Sequence, residues 1–268
     1  MSLRSQLGDI RRSILCAFYR RVVPLGDHGP IVSFTFDDFP RTACSVGAAI
    51  LEKFGARGTY YVTAGLMNSC NELGELFHQD DLCTLAERGH DLGTHTFHHR
   101  SCRSLSLSAF REDVEKGKKA VEEYVGCDSI NFAYPYGDVT LRIKKNVGPG
   151  LASCRGIVPG YNGPGIDLNL LRANRLYGGV DQATRAEALI RENVKRKSWL
   201  IFYTHDVRLR PSTYGCTPAL LESAVSCAAR SGSRLLAVRE VLSELVPAIR
   251  ASTVRAGTPE PVTTSNPL

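Results

Sequence analysis

A single-domain α/β barrel built on a parallel sheet is the fold this sequence predicts, and three observations predict it. Short β-branched and aromatic runs alternate with stretches of helical periodicity along most of the chain, as repeated βα units do. About seven such strand-like runs are present, a count that suits a barrel better than a small open sheet. The chain has 268 residues, 43% of them hydrophobic, enough for one core of the kind that α/β barrels of roughly 200–250 residues bury.

The elements follow in order. Leu3, Leu7, Ile10, Ile14, Phe18 and Val22 recur at spacings of three and four, with Arg4, Arg11, Arg12 and Arg21 mostly off that face. This predicts a basic amphipathic helix over residues 1–22, either packed on the outside of the domain or lying on a membrane surface. Pro24 to Pro30 is a turn-rich break that completes an N-terminal segment of residues 1–30. The barrel is assigned to 31–249. Within it, strands are expected at Ile31–Phe36, Gly58–Val62, Asp91–Thr94, Ile130–Tyr134, Trp199–Tyr203 and Leu235–Val238, with one more short strand in the Gly- and Pro-rich stretch Val147–Gly165. Helices are expected at Ala43–Phe54, at Leu76–Arg88 closed by Gly89, at Ser108–Val125 with Ser108 as N-cap, and at Ala183–Arg196, Pro218–Ser231 and Glu240–Ile249. Residues 250–268 are rich in Thr, Pro and Ser and are expected to form a flexible tail.

Composition narrows the function. The net charge is +6, but the basic residues are scattered and nowhere interleaved with aromatics as a base-stacking surface requires, so a nucleic-acid partner is excluded. Nine cysteines at irregular spacing, with no Cys-x-x-Cys, argue against a disulfide framework or a structural zinc knuckle and fit a reducing compartment. The apolar run Ile14–Tyr19 is short and closed by Arg20 and Arg21, unlike a secretory signal or a membrane span. Cytoplasmic residence, with peripheral membrane contact through residues 1–22 as an option, is the expectation.

In a parallel βα barrel, functional groups gather at the C-terminal ends of the strands. Reading the polar residues there gives Asp37 and Asp38, then His95 with His98 and His99, then Pro135-Tyr136-Gly137-Asp138, Arg172, and Thr204-His205-Asp206. Each feature alone has an ordinary explanation: an Asp pair as a turn or cap, a spaced His pair as surface or core. Together and in order they describe a hydrolytic metal site. His95 and His99 are four residues apart, so on a helical turn both imidazoles face one ion, while His98 projects about 100° away and is not expected to ligate. An N,N,O set with open positions suits Zn²⁺ or a similar first-row ion, which would acidify a water and polarise a carbonyl. Adjacent Asp37 and Asp38 point in different directions, so that one can bind metal and the other act as base. His28, His78 and His90 are read as structural or exposed, and Trp199 as core.

These residues resemble the motifs of the polysaccharide deacetylase family, carbohydrate esterase family 4. Thr35-Phe36-Asp37-Asp38 is similar to its first motif, His95-Thr96-Phe97-His98-His99 to its second, Phe132-Ala133-Tyr134-Pro135-Tyr136-Gly137 to its third and Phe202-Tyr203-Thr204-His205-Asp206 to its fifth. Gly232–Val238 is similar to its closing strand, so the resemblance spans about residues 31–246. It implies a distorted (β/α)7 barrel, Asp37 as base, Asp38, His95 and His99 as ligands of a divalent metal (Zn²⁺, with Co²⁺ as an option), His205 as general acid and the Tyr136 N–H as oxyanion donor. The implied reaction is removal of an N-acetyl group from an N-acetylated sugar or polysaccharide. Deacylation or deformylation of a lipid-linked amino sugar, and a non-catalytic glycan-binding module, are the rivals. The sequence departs from the family in two places. The third motif has Ala133 where Arg is common, and the fourth reads Leu170–Arg175 in place of an Asp-Trp pair. Arg172 is therefore expected to supply the missing charge beside Asp37.

Overall fold

The computed structural model describes residues 12–246. Its centre is a curled parallel sheet of seven strands, the distorted (β/α)7 barrel that the sequence predicts. The strands are β1 (Ile31–Asp37), β2 (Thr59–Val62), β3 (Asp91–Thr94), β4 (Asn131–Ala133), β5 (Ser153–Arg155), β6 (Asn174–Arg175) and β7 (Trp199–Thr204). They run in the order β6-β7-β1-β2-β3-β4-β5. A short β8 (Arg234–Leu235) pairs with Ile31 and Val32 at the start of β1. The segment 168–171, which leads into β6, hydrogen-bonds β5 through Cys154 and Gly156 without forming a regular strand.

Side-chain alternation decides what each strand contributes. Every residue of β1 is buried. Val32, Phe34 and Phe36 join the layer between sheet and helices, together with Tyr60, Val62, Leu200 and Phe202. Ile31, Trp199, Ile201 and Tyr203 form a separate cluster on the opposite face, which is the barrel interior. Period two therefore carries Ser33, Thr35 and Asp37 into that interior as well. Trp199 is core as expected: fully buried, it donates from Nε1 to Ser33 Oγ at 2.9 Å.

The helices on the outside are α1 (Ala48–Lys53, entered through a π-helical turn at Ala43–Gly47), α2 (Gln79–Glu87), α3 (Leu107–Val125), α4 (Leu141–Val147), α5 (Ala183–Arg196), α6 (Pro218–Arg230) and α7 (Val238–Leu245). Several bounds shift from the sequence reading. The third helix is capped by Ser106, whose Oγ accepts from Ala109 N at 3.2 Å, and Ser108 lies inside it. The second starts only at Gln79 because the Asp81 carboxylate takes the His78 N–H at 2.9 Å. Ala237 N is similarly taken by Glu240, three residues into α7, so that helix begins before Glu240 and not at it.

At the N-terminus, residues 12–17 are helical, but the helix does not reach Val22. Val22–Pro24 pairs antiparallel with Gly165–Asp167, and Asp167 accepts from Arg21 N at 3.1 Å. The Arg21 guanidinium reaches the carbonyls of Leu151 and Ala152, both at 2.6 Å. Buried Lys144 donates to Leu15 O at 2.7 Å and to Asp167 at 2.6 Å. This part of the segment is thus tied to the barrel wall. Residues 1–11, the tail 250–268 and the last turn expected up to Ile249 lie outside the described residues. Among the described residues, no helix is long and apolar enough to cross a membrane.

At the N-terminal ends of the strands, one buried carboxylate joins several of them. Asp91 accepts from Thr59 Oγ1 at 3.1 Å, Asn131 Nδ2 at 2.8 Å, and Arg239 Nε and N at 3.1 and 3.2 Å. Removing it leaves Arg239, Asn131 and Thr59 without their acceptor. Asp91→Ala should cost about 3–5 kcal/mol, the range for breaking a buried ion pair; urea unfolding with a loss below about 1 kcal/mol would refute the role given to Asp91.

Candidate functional site

Asp37, Asp38, His95, His99, Tyr136 and His205, which the sequence singles out, all line one cleft of about 430 Å³. β1 delivers the first two. Asp37 is its last residue and faces the interior; Asp38 follows in a left-handed conformation, φ 41°, which swings its carboxylate away from that of Asp37. Thr63, just after β2, donates Oγ1 to Asp38 Oδ1.

β3 delivers the histidines, though not on a helical turn. Residues 95–100 form an irregular loop in which Thr96 and His99 take φ values of 68° and 53°. Thr96 Oγ1 accepts from His99 N at 3.0 Å, which folds the loop back on itself. Nε2 of His99 lies 2.7 Å from Asp38 Oδ2 and that of His95 3.7 Å. Ligand atoms of Asp38, His95 and His99 all lie within 4.8 Å of one another. His98 turns away to Asp113 on α3, Nδ1 to Oδ1 2.5 Å. The loop conformation, and not helical spacing, is what separates it from the other two.

His95 donates Nδ1–H to the Ala133 carbonyl at 2.7 Å, which fixes its tautomer and leaves the Nε2 lone pair facing Asp38. Burial pushes the His95 imidazole down to about 4, against the pull of Asp38. Burial would raise the Asp38 carboxyl, but the neighbouring imidazoles of His95 and His99 outweigh it and hold the group well below the usual carboxylate range.

Arg172 is not the partner of Asp37. Its guanidinium bonds the Pro159 carbonyl at 3.0 Å and Cys16 Sγ at 3.4 Å. The partner is Arg155, the last residue of β5, fully buried, with one Nη donating to Asp37 Oδ1. Its guanidinium lies 4.9 Å from the Tyr61 ring centroid and 5.3 Å from that of Tyr203. Arg172 sits before β6 and outside the interior, whereas alternation along β5 turns Arg155 inward. Sequence reading passed over it because Val147–Gly165 looks like loop. The usable signal was the short run Ser153-Cys154 followed by Arg155 and Gly156, the same strand-end pattern that revealed Asp37.

The remaining groups come from loops. Tyr136 and Gly137 take consecutive left-handed conformations, φ 59° and 65°, and the Tyr136 ring packs 4.4 Å from that of His99. A Cβ on Gly137 would meet Ile157 at 2.2 Å, so this turn requires glycine. Asp138 faces away from the cleft, accepting from Ser101 and Arg103. His205 follows β7 and places Nδ1 3.2 Å from the Tyr214 carbonyl. Fully buried Asp206 shapes that loop by accepting from Ser212 N and Oγ at 2.9 and 2.5 Å. Tyr177 and Tyr214 flank His205, with ring centroids 6.0 and 5.6 Å away, and supply an aromatic wall where the fourth motif lacks its Trp.

Comparisons with known proteins bear on the family and the fold. A family model described as polysaccharide deacetylase matches residues 26–148. A bifunctional xylanase/deacetylase of Pseudobutyrivibrio xylanivorans is 24% identical over 117 residues; the match spans 44% of this chain and only 18% of that protein. Among solved structures, a family 4 acetyl xylan esterase from Clostridium thermocellum in complex with cobalt aligns with a TM-score of 0.58 at 18% identity, over 80% of this chain and 91% of that one. A CE4 family pseudoenzyme from Bacillus anthracis aligns with a TM-score of 0.52 at 14% identity, over 81% and 66%.

Two outcomes are expected. Arg155→Ala should destabilise the protein by about 3–5 kcal/mol by stranding the Asp37 carboxylate, with Arg155→Lys between it and the wild type and Arg172→Ala within about 1 kcal/mol; urea unfolding that ranks Arg172→Ala as the worse of the two alanine variants would reverse the assignment. The second concerns acid. Unfolded His95 takes up a proton near pH 6.5 and the folded group only near 4, so metal-free protein should lose stability as pH falls through that window. His95→Asn should flatten the decline, and an unaltered slope would show that His95 does not titrate this way.

Proposed function

This chain belongs to the polysaccharide deacetylase family through residues 26–148, and we propose that it is a metal-dependent hydrolase that removes acetyl groups from an N-acetylated sugar or polysaccharide. The observation that carries the proposal is the convergence on one cleft of a carboxylate–imidazole triad, a separate buried carboxylate and a further histidine. A non-catalytic module has no use for all three, and the pseudoenzyme relative speaks only to the fold.

The triad fits a divalent first-row cation. Two imidazole nitrogens and one carboxylate oxygen converge, and the Ala133 carbonyl holds His95 in the tautomer that offers Nε2. Asp38, His95 and His99 would hold the ion, most simply Zn²⁺; bound there, it supplies the positive charge that acidifies water and polarises the acyl carbonyl.

The chain's own residues do the rest. Asp37, oriented by Arg155, accepts the proton of the attacking water. Arg155 is fully buried, with Tyr61 and Tyr203 against its guanidinium, so its part is to orient. The Tyr136 N–H, set by its left-handed turn, donates to the oxygen that gains negative charge. His205 then protonates the leaving nitrogen as the C–N bond breaks, giving acetate and a free amine. The Tyr214 carbonyl fixes His205 Nδ1–H, leaving Nε2 to carry the transferred proton. The aromatic side chains at 136, 177 and 214 give the sugar rings flat apolar surfaces.

Chelation should abolish acetate release from N-acetylated oligosaccharides, and Zn²⁺ or Co²⁺ should restore it. Asp37→Asn and His205→Ala should keep the metal, measured by elemental analysis, yet lose about 10²–10⁴-fold in kcat/KM. His95→Ala and His99→Ala should lose the metal, and His98→Ala should retain it. Equal metal loss in all three histidine variants, or acetate release unaffected by chelation, would sink the proposal.

A further inference from the structure

Tyr177 lines not only the cleft but a second cavity of about 400 Å³. Arg175, at the end of β6, and Arg185, near the start of α5, face this cavity, with Ser212 and Thr213 from the loop that follows His205. Neither guanidinium has a hydrogen bond or ion pair among the described residues. The lining contains one acid, Asp181, and its carboxylate is engaged by the Gln182 amide at 2.8 Å. Two unpaired guanidinium groups over one concavity repel each other unless an anion comes between them, and their planar forks suit carboxylate and phosphate oxygens. The positive end of the α5 dipole acts in the same direction.

The position of the cavity is as informative as its charge. Buried Asp206 fixes Ser212 through two hydrogen bonds, and two residues on, the Tyr214 carbonyl holds His205. The wall of the second cavity and the proposed acid of the first thus belong to one braced loop. A glycan with its acetylated sugar beside His205 would carry a neighbouring unit past Tyr177 to the two arginines.

We propose that this cavity is an anion subsite, and that it takes a negatively charged substituent, a uronate carboxylate or a phosphate, next to the sugar being deacetylated. The substrate would then be an acidic glycan or a phosphate-bearing glycan precursor. This assignment rests on the hydrolase reading of the cleft, but binding tests it without turnover.

Calorimetric titration is done on Zn²⁺-loaded protein carrying Asp37→Asn to suppress hydrolysis. One pair of probes compares the tetrasaccharide of alternating glucuronate and N-acetylglucosamine with neutral tetra-N-acetylchitotetraose. The other compares N-acetylglucosamine 1-phosphate with N-acetylglucosamine. At least one acidic probe should bind about ten-fold tighter than its neutral counterpart, the sum expected of two partly exposed ion pairs, and the advantage should shrink with added salt. Whichever pair shows it separates carboxylate from phosphate. Adding Arg175→Ala and Arg185→Ala should abolish the advantage while leaving neutral binding unchanged, and Arg175→Lys with Arg185→Lys should restore part of it. Equal binding of acidic and neutral probes, or an advantage that survives the double alanine change, overturns the subsite. Selective acidic binding without acetate release by the wild-type enzyme would refute the hydrolase reading and leave the subsite standing.

Discussion

A guanidinium removed entirely from water is tolerated only where a carboxylate and polarisable surfaces replace its hydration. In this protein that group is Arg155, and the cleft end of the barrel is arranged around it. It lies against the rings of Tyr61 and Tyr203 and donates to Asp37. Those four residues come from β5, β2, β7 and β1, so a single ion pair ties strands from well-separated parts of the sheet. The same pair fixes the direction of the Asp37 carboxylate, as the role of base proposed for it requires. The tie between distant strands and the orientation of Asp37 are therefore one interaction here.

The triad depends on backbone more than on side-chain packing. Asp38, Thr96, His99 and Tyr136 all take left-handed conformations, which cost energy for residues with a Cβ. Local hydrogen bonds offset the cost: Thr63 Oγ1 donates to Asp38, His99 N to Thr96 Oγ1, and His95 Nδ1 to the Ala133 carbonyl. Backbone strain concentrates where strand ends must turn functional groups inward.

The cleft is bounded by loops that the barrel positions but does not contain. Arg208 bridges two of them, with Nε 2.8 Å from Asp206 and Nη2 donating at 3.1 Å to the carbonyl of Glu72, at the turn between the antiparallel pair Cys70–Asn71 and Gly74–Glu75. Fully buried Asp206 holds that loop from beneath. The aromatic walls of the cleft, Tyr177 and Tyr214, sit on this frame.

By itself the sequence determined the alternation of strand and helix, the barrel class, the strand-end location of Asp37, Asp38, His95, His99 and His205, and the core role of Trp199. These are legible because periodicity is local and because functional groups follow directly on apolar runs. Tertiary structure alone decided which arginine meets Asp37. Arg155 and Arg172 are 17 residues apart and both adjoin short apolar segments; only the inward face of β5, paired with β4 in the curled sheet, distinguishes them. It also decided that His98 is set apart by a loop held through Thr96 and Asp113, where a helical spacing had seemed sufficient reason. The segment around Val22 follows the same rule: its periodicity reads as helix, yet pairing with a strand about 140 residues away prevails. A three-residue strand carries too few side chains to show its period, and a partner distant in the chain leaves no mark on local sequence.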